Sequence, residues 1–211
     1  METTMRSWGK RVLLCGSVTA VALICLGSCG SRLIPVHAAM GMAADAAAQA
    51  VAQVAPEVHY SPAENLETID LTELDQARST LDVSAYAMDD RPIAEELVKL
   101  AGRGVKIRIY RDQQQYMGEK ARGAKGLQDL NALFSGQPNI QVRVKGVTAL
   151  AHLKAYLVDG KMLREGSANW SPQGEKVQDN SLILIRDPAA VAAFEKQFEA
   201  MWSRTSNEVI H

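Results

Sequence analysis

From Glu57 to Arg204 the hydrophobic pattern switches repeatedly between a period of about two residues and one of about 3.6. Strands and helices interleaved in this way must stack as layers about a sheet. Glu64 to Arg78 places Leu66, Ile69, Leu74 and Ala77 at helical spacing. Leu81 to Met88 reads as a strand with Leu81, Val83, Ala85 and Ala87 on one face. Asp89, Asp90 and Pro92 open a second helix whose apolar side is Ile93, Leu97 and Leu100, and Gly102 and Gly104 stop it. Val105–Tyr110, Ile140–Val144 and His152–Val158 alternate as strands, and Ser181–Ile185 is a nearly continuous apolar run suited to a strand covered on both faces. Pro188 to Arg204 closes as a helix with Phe194, Phe198 and Trp202 four apart, a packing stripe. The expected fold is α/β: a mixed β-sheet flanked by helices, in one domain over residues 57–208.

What precedes that domain has a different character. Arg6, Lys10 and Arg11 lead into the apolar stretch Val12–Leu26, short for a membrane span and suited to an export signal. It ends in Leu26-Gly27-Ser28-Cys29, which resembles a bacterial lipobox and makes Cys29 a lipidation candidate. Cleavage after Val36-His37-Ala38, or retention of the segment as an anchor, are the alternatives. Residues 30–56 are rich in Ala and read as a linker. The expectation is an exported bacterial protein, periplasmic, secreted or tethered to a membrane. All three cysteines lie in the first 29 residues, so the domain has no disulfide, cysteine zinc site or catalytic thiol.

The formal net charge of −1 excludes a uniformly basic nucleic-acid coat protein. Charge is nonetheless polarised along the chain. Residues 57–96 hold eleven acids and two bases, whereas residues 97–158 hold eleven bases and three acids. Lys99, Arg103, Lys106, Arg108, Arg111, Lys120, Arg122, Lys125, Arg143 and Lys145 are candidates for a positive surface around a phosphate site, or simply for solvated faces.

The most specific text is Ala151-His152-Leu153-Lys154-Ala155-Tyr156-Leu157-Val158-Asp159-Gly160. His152 and Lys154 are two apart on a strand and so share a face. Asp159 follows at the strand's end, and Gly166-Ser167-Ala168-Asn169-Trp170 comes next. A lone strand histidine is usually structural; one beside a lysine, an acid and a Gly-Ser-x-Asn loop points to chemistry.

This spacing resembles the phospholipase D superfamily, the His-Lys-Asp phosphodiesterases. His152, Lys154 and Asp159 match its three named residues; Gly166, Ser167 and Asn169 match the loop. His59-Tyr60-Ser61-Pro62, Ala85-Tyr86 and Gly102-Arg103-Gly104-Val105-Lys106-Ile107 resemble the framework of its small single-motif bacterial endonucleases. Asp179 stands where that branch often has a glutamate. Members use two copies of the motif, and this chain has one, so the resemblance implies a homodimer with two His152 residues facing each other.

Residue chemistry supports the same site. Neutral imidazole is a competent nucleophile and forms a covalent phospho-adduct. Lys154 supplies positive charge beside it, and Ser167 and Asn169 can donate to phosphate oxygens. Asp159 orients a group of the site or holds the turn before Gly160. No metal or other cofactor is required by this scheme. His59, Tyr86 and Trp170 are candidates for substrate contact, with framework packing the stronger expectation. The leading function is an exported endonuclease cleaving DNA or RNA. A phospholipase D acting on phospholipid headgroups and a non-catalytic phosphate-binding module are the alternatives.

Overall fold

The computed structural model describes residues 55–125, 129–147 and 149–210. The expected export segment, most of the Ala-rich linker and Cys29 lie outside the described residues. Eight strands form one sheet: β1 (Glu57–Ser61), β2 (Thr80–Ala85), β3 (Lys106–Arg111), β4 (Ile140–Val144), β5 (Lys154–Val158), β6 (Met162–Gly166), β7 (Asn180–Ile185) and β8 (Glu208–Ile210). Their order across the sheet is β1-β7-β6-β5-β2-β3-β4-β8. The helices are α1 (Leu66–Asp75), α2 (Arg91–Gly102), α3 (Gln113–Gly123), α4 (Pro172–Lys176) and α5 (Pro188–Trp202), with a 3-10 turn at Leu130–Phe134.

The sheet is mixed, and the connections explain why. Strands β2, β3 and β4 are parallel, which requires crossovers, and α2 and α3 supply them. All other pairings are antiparallel. The helix starts are set locally: Asp90 accepts from the Ile93 amide and is followed by Pro92, and Asp187 caps Ala189 and Ala190 ahead of α5. Such caps contribute about 1 kcal/mol each.

Strand alternation divides the core in two. Tyr156 and Val158 of β5 pack with Leu81, Val83, Ile107 and Ile109 beneath Leu66 and Leu74 of α1 and Ile93, Leu97 and Leu100 of α2. Ala155 and Leu157 face the other way, into the Phe194, Phe198, Met201 and Trp202 side of α5. The expected C-terminal stripe is core, as its spacing requires.

Several elements have no counterpart in the hydrophobic pattern, β1, β6 and α3 among them. In β1 the apolar residues Val58 and Tyr60 point outward and are exposed. Strand β6 is short and carries the buried Arg164. Helix α3 buries Tyr116 and Glu119, the latter through an ion pair with Arg111 rather than through an apolar face.

The fold also neutralises the charge polarity seen along the sequence. Asp82 and Arg108 are register partners on adjacent parallel strands and pair at 2.6 Å, with Glu199 on the same guanidinium. Asp75 takes Lys99 and Arg103, Arg111 pairs with Glu119, and Arg122 lies 3.9 Å from Asp89. Five of the ten candidate cations are therefore paired with acids, which for those five favours the alternative of solvated faces.

Candidate active site at one edge of the sheet

Parallel and antiparallel strands bring several ends to one edge. Ala85 at the end of β2 pairs with Lys154 at the start of β5, and Arg111 at the end of β3 pairs with Ala85. Strand β6 runs antiparallel to β5 with Tyr156 opposite Arg164, which carries Gly166 to the level of Lys154. The Gly-Ser-x-Asn loop thus emerges beside the His-x-Lys segment.

Regular strand begins at Lys154, not at His152, but the two side chains meet as their spacing predicts. The Lys154 ammonium lies 3.3 Å from both ring nitrogens of His152 and donates to the His152 carbonyl at 2.9 Å. His152 is exposed, and Lys154 is half-buried. Burial, and then the neighbouring Arg164, lower the Lys154 pKa from its ordinary value. The ring of Tyr86 sits against both groups, 4.4 Å from the His152 ring centroid and 4.6 Å from the Lys154 nitrogen.

A buried ionic cluster supports this edge from below. Arg164 donates to both oxygens of Asp70 on α1, at 3.0 and 2.9 Å, and also to the carbonyls of Lys154 and Ala168. One guanidinium thereby ties the start of β5 to the loop after β6. Asp70 further accepts from Tyr156 and Trp170. Glu175 of α4 lies 3.7 Å from Arg164, and burial followed by repulsion from Asp70 pushes its carboxyl pKa up to about 9. It is therefore neutral near pH 7, which leaves Asp70 as the counter-ion of Arg164.

The loop residues are placed more indirectly. Gly166 has φ 151°, and a Cβ there would lie 2.1 Å from the Ser181 carbonyl, so the close approach of β7 requires glycine. Ser167 is exposed; its hydroxyl donates to Asn180 at 2.8 Å and accepts from the Ser181 amide. Asn169 is half-buried, and its Oδ1 has no hydrogen-bond partner among the described residues. A buried polar atom without a partner marks a group whose capacity is held open. Asp179 is exposed just before β7.

Asp159 lies elsewhere. It follows the far end of β5, in a left-handed conformation with φ 51°. Its carboxylate accepts from the amides of Arg78, Ser79 and Thr80 and from the Ser79 hydroxyl at 2.8–2.9 Å. Burial pulls its pKa upward, but these donors hold it below the ordinary value. Of the two expected roles, the geometry gives the second: Asp159 clamps the turn to the start of β2, and it is not grouped with His152 and Lys154.

The three candidate substrate contacts are similarly resolved. Both ring nitrogens of His59 are taken by Glu64 and Glu57. Trp170 is buried with its indole N–H on Asp70. Tyr86 packs against His152 and Lys154. Among the described residues no group of three or more His, Cys, Asp or Glu is arranged to hold a metal.

Comparison with known proteins agrees with this fold. Residues 71–202 match the family described as "Cardiolipin synthase, PLD-like domain". The chain belongs to the phospholipase D superfamily. A mitochondrial cardiolipin hydrolase of Chlamydomonas reinhardtii is 29% identical over 129 residues, 61% of this chain and 54% of that one. A phospholipase D of Rickettsia typhi is 26% identical over 152 residues, 72% of this chain and 69% of that one. The fold matches that of Nuc, a phospholipase D family member from Salmonella typhimurium, with a TM-score of 0.63 at 21% identity, covering 74% of this chain and 98% of Nuc. The chain spans just over half the length of the cardiolipin hydrolase.

Sequence reasoning placed the superfamily motif but missed what holds it. Asp70, Arg164 and Glu175 carry no local signature, because each looks like an ordinary charge on its own element. Only the sheet order brings them under Lys154 and Ala168. A charged residue at the centre of the short, otherwise apolar Met162–Leu163 segment was the one available hint.

Proposed function

We propose that the chain is a metal-independent phosphodiesterase working through a covalent phosphohistidine. His152 forms a nitrogen–phosphorus bond while the phosphorus–oxygen bond to the leaving alcohol breaks. Water then displaces the imidazole, releasing the phosphomonoester and the free enzyme. Lys154 balances the charge on the phosphate oxygens, with the Asn169 side-chain amide as a donor, and Ser167 joins them only by exchanging its bond to Asn180 for one to phosphate. The observation that carries this reading is the contact of one ammonium with both ring nitrogens of an exposed histidine at an open sheet edge. The leaving alkoxide needs a proton and the attacking water needs a base. We assign both tasks to His152 of the partner subunit, in a symmetric dimer. Leu150 and Leu153, on either side of His152 in the chain, are 48% and 37% exposed, which suits a contact that closes over the site.

As substrate we propose a phospholipid headgroup diester ahead of a nucleic acid. The nuclease expectation leaned on a cluster of cations, and half of those are spent on intramolecular acids. The candidate aromatic rings are occupied as well. The relatives named as a cardiolipin hydrolase and a phospholipase D point the same way. A nucleic-acid substrate would rely on the exposed Lys120 and Lys125 near the end of α3. An export segment lipidated at Cys29 would hold the domain against a membrane. Mass spectrometry of the membrane fraction tests that, with a diacylated Cys29 N-terminus expected and cleavage after Ala38 contradicting it.

The deciding assay presents cardiolipin vesicles, phosphatidylcholine vesicles, plasmid DNA and RNA to wild type and His152→Ala, with and without EDTA. Lipid turnover that survives EDTA and is absent in His152→Ala is the expected result. Cleavage of DNA or RNA alone would reverse the order of substrates. Loss of all activity on chelation, or wild-type turnover by the mutant, would overturn the mechanism.

A further inference from the structure

A histidine that acts as nucleophile must present one nitrogen in a fixed direction, and such rings are commonly oriented by a carboxylate or carbonyl on the other nitrogen. His152 has no such partner among the described residues; its ring nitrogens meet only the Lys154 ammonium. Within the subunit, the other group that touches the ring is Tyr86.

We propose that Tyr86 is the positioning residue of the reacting pair, its ring fixing His152 and retaining the Lys154 ammonium against it, and that Gln115 holds Tyr86 in place. This rests on His152 and Lys154 being the groups that react. Tyr86 follows β2 directly, and its amide donates to the Leu153 carbonyl at 3.2 Å. Pairing between β2 and β5 is thus carried one step past Lys154, into the peptide between the two reacting residues. The Tyr86 ring lies at 58° to the His152 ring with centroids 4.4 Å apart, a tilted contact of the kind aromatic groups favour. The same ring has the Lys154 nitrogen 4.6 Å from its centroid.

The tyrosine is itself fixed from α3. Gln115 donates its side-chain amide to the Tyr86 hydroxyl at 3.0 Å. The backbone amide of Gln115 donates to one oxygen of Asp112, whose other oxygen accepts from the Ala151 amide at 2.8 Å. The first turn of α3 therefore grips both the ring that touches His152 and the backbone one residue before it.

The ring face also bears on charge. The titratable and charged groups against Lys154 are His152 on its own segment, Arg164 from β6 with its counter-ion Asp70, and the phenol of Tyr86 at the end of β2. Burial and Arg164 favour the neutral amine. The negative face of the Tyr86 ring opposes them and favours the ammonium, which is the form that stabilises phosphate. Removing the ring lowers the Lys154 pKa further, so the alkaline limb of the rate profile moves to lower pH.

Three variants separate these effects. Tyr86→Leu keeps apolar volume and loses the ring face, Tyr86→Phe keeps the face and loses the Gln115 contact, and Gln115→Ala leaves the tyrosine untethered. The Lys154 titration is read by NMR of its labelled ε-carbon, and kcat and KM are followed against pH on whichever diester wild type cleaves. In Tyr86→Leu the lysine titration drops by about half a unit. Its kcat falls about tenfold with KM within about threefold, and the alkaline limb follows the lysine. Tyr86→Phe keeps the wild-type titration and loses about twofold in kcat, and Gln115→Ala does likewise. An unchanged Lys154 titration in folded Tyr86→Leu, or equal losses in the Leu and Phe variants, overturns the proposal. Should Tyr86→Leu not fold, an unchanged kcat in Gln115→Ala overturns it. Failure of the reading on which it rests looks different: wild type turns over no diester, while the lysine titration still reports what Tyr86 does to Lys154.

Discussion

At the start of β5, His152 is exposed, its ring nitrogens meet only the Lys154 ammonium, its ring face meets Tyr86, and Lys154 lies above a buried guanidinium. At the far end of the same strand, about 20 Å away along an extended chain, Asp159 accepts four hydrogen bonds and has no capacity left. Both ends belong to one sequence motif, yet we assign the chemistry to one, and the other holds a turn. Adjacency in a motif therefore does not imply adjacency in a site. A residue poised for chemistry retains unfilled bonding capacity; a residue that shapes the scaffold has spent it.

The strongest way to break this comparison is to exchange the penalties at the two ends. His152→Ala is expected to lose at least about a thousandfold in kcat with an unchanged melting temperature, because only chemistry is removed. Asp159→Ala should do the reverse, losing about 2–3 kcal/mol of stability while kcat stays within about threefold. Thermal melts beside steady-state kinetics read both. An Asp159→Ala protein that melts like wild type but is inactive would return Asp159 to the catalytic set.

A stability effect alone sharpens the account of how the His152 end is held. Arg164→Met removes the donor to the Lys154 and Ala168 carbonyls and leaves Asp70 buried without its counter-ion. Breaking such a pair costs about 3–5 kcal/mol, measurable by urea unfolding. Unfolding at the wild-type midpoint would mean that the cluster contributes little.

The smallest effect concerns Glu175. Its folded pKa of about 9 is raised from an ordinary 4.5, so the folded chain holds a proton that the unfolded chain releases. The associated stability is complete below pH 4.5 and is lost as pH rises toward 9. Asp90, raised by burial and by Glu67 to about 6, loses its share in the same direction between pH 3.8 and 6. Glu175→Gln mimics the protonated form and escapes the first loss. Its advantage over wild type should grow steadily between pH 5 and pH 8. A pH-independent difference would show that Glu175 ionises normally.

Much of this architecture was legible in the sequence, for reasons that also mark where legibility ends. Periodicity located Ile140–Val144 to the residue and the Pro188 helix start, because burial of one face imposes that spacing. It failed for β1, whose apolar residues face outward, and for α3, which is anchored by the Arg111–Glu119 pair. His152 and Lys154 were readable because their chemistry needs two residues on one strand face. The pairing of Asp82 with Arg108, the Asp70–Arg164–Glu175 cluster and the grip of α3 on Tyr86 all depend on strand order. No local pattern encodes that. The pairing of half the candidate cations was hidden for the same reason: opposite charges separated in sequence became neighbours in the fold.

The central claim is a bond between phosphorus and residue 152. Rapid quenching of wild type with a phosphorus-labelled diester, followed by trypsin digestion and mass spectrometry, examines it directly. A phosphoryl adduct on His152 within the peptide Gly146–Lys154, labile to acid and stable to alkali, is the predicted result. Turnover at full rate with the adduct on another residue would contradict it.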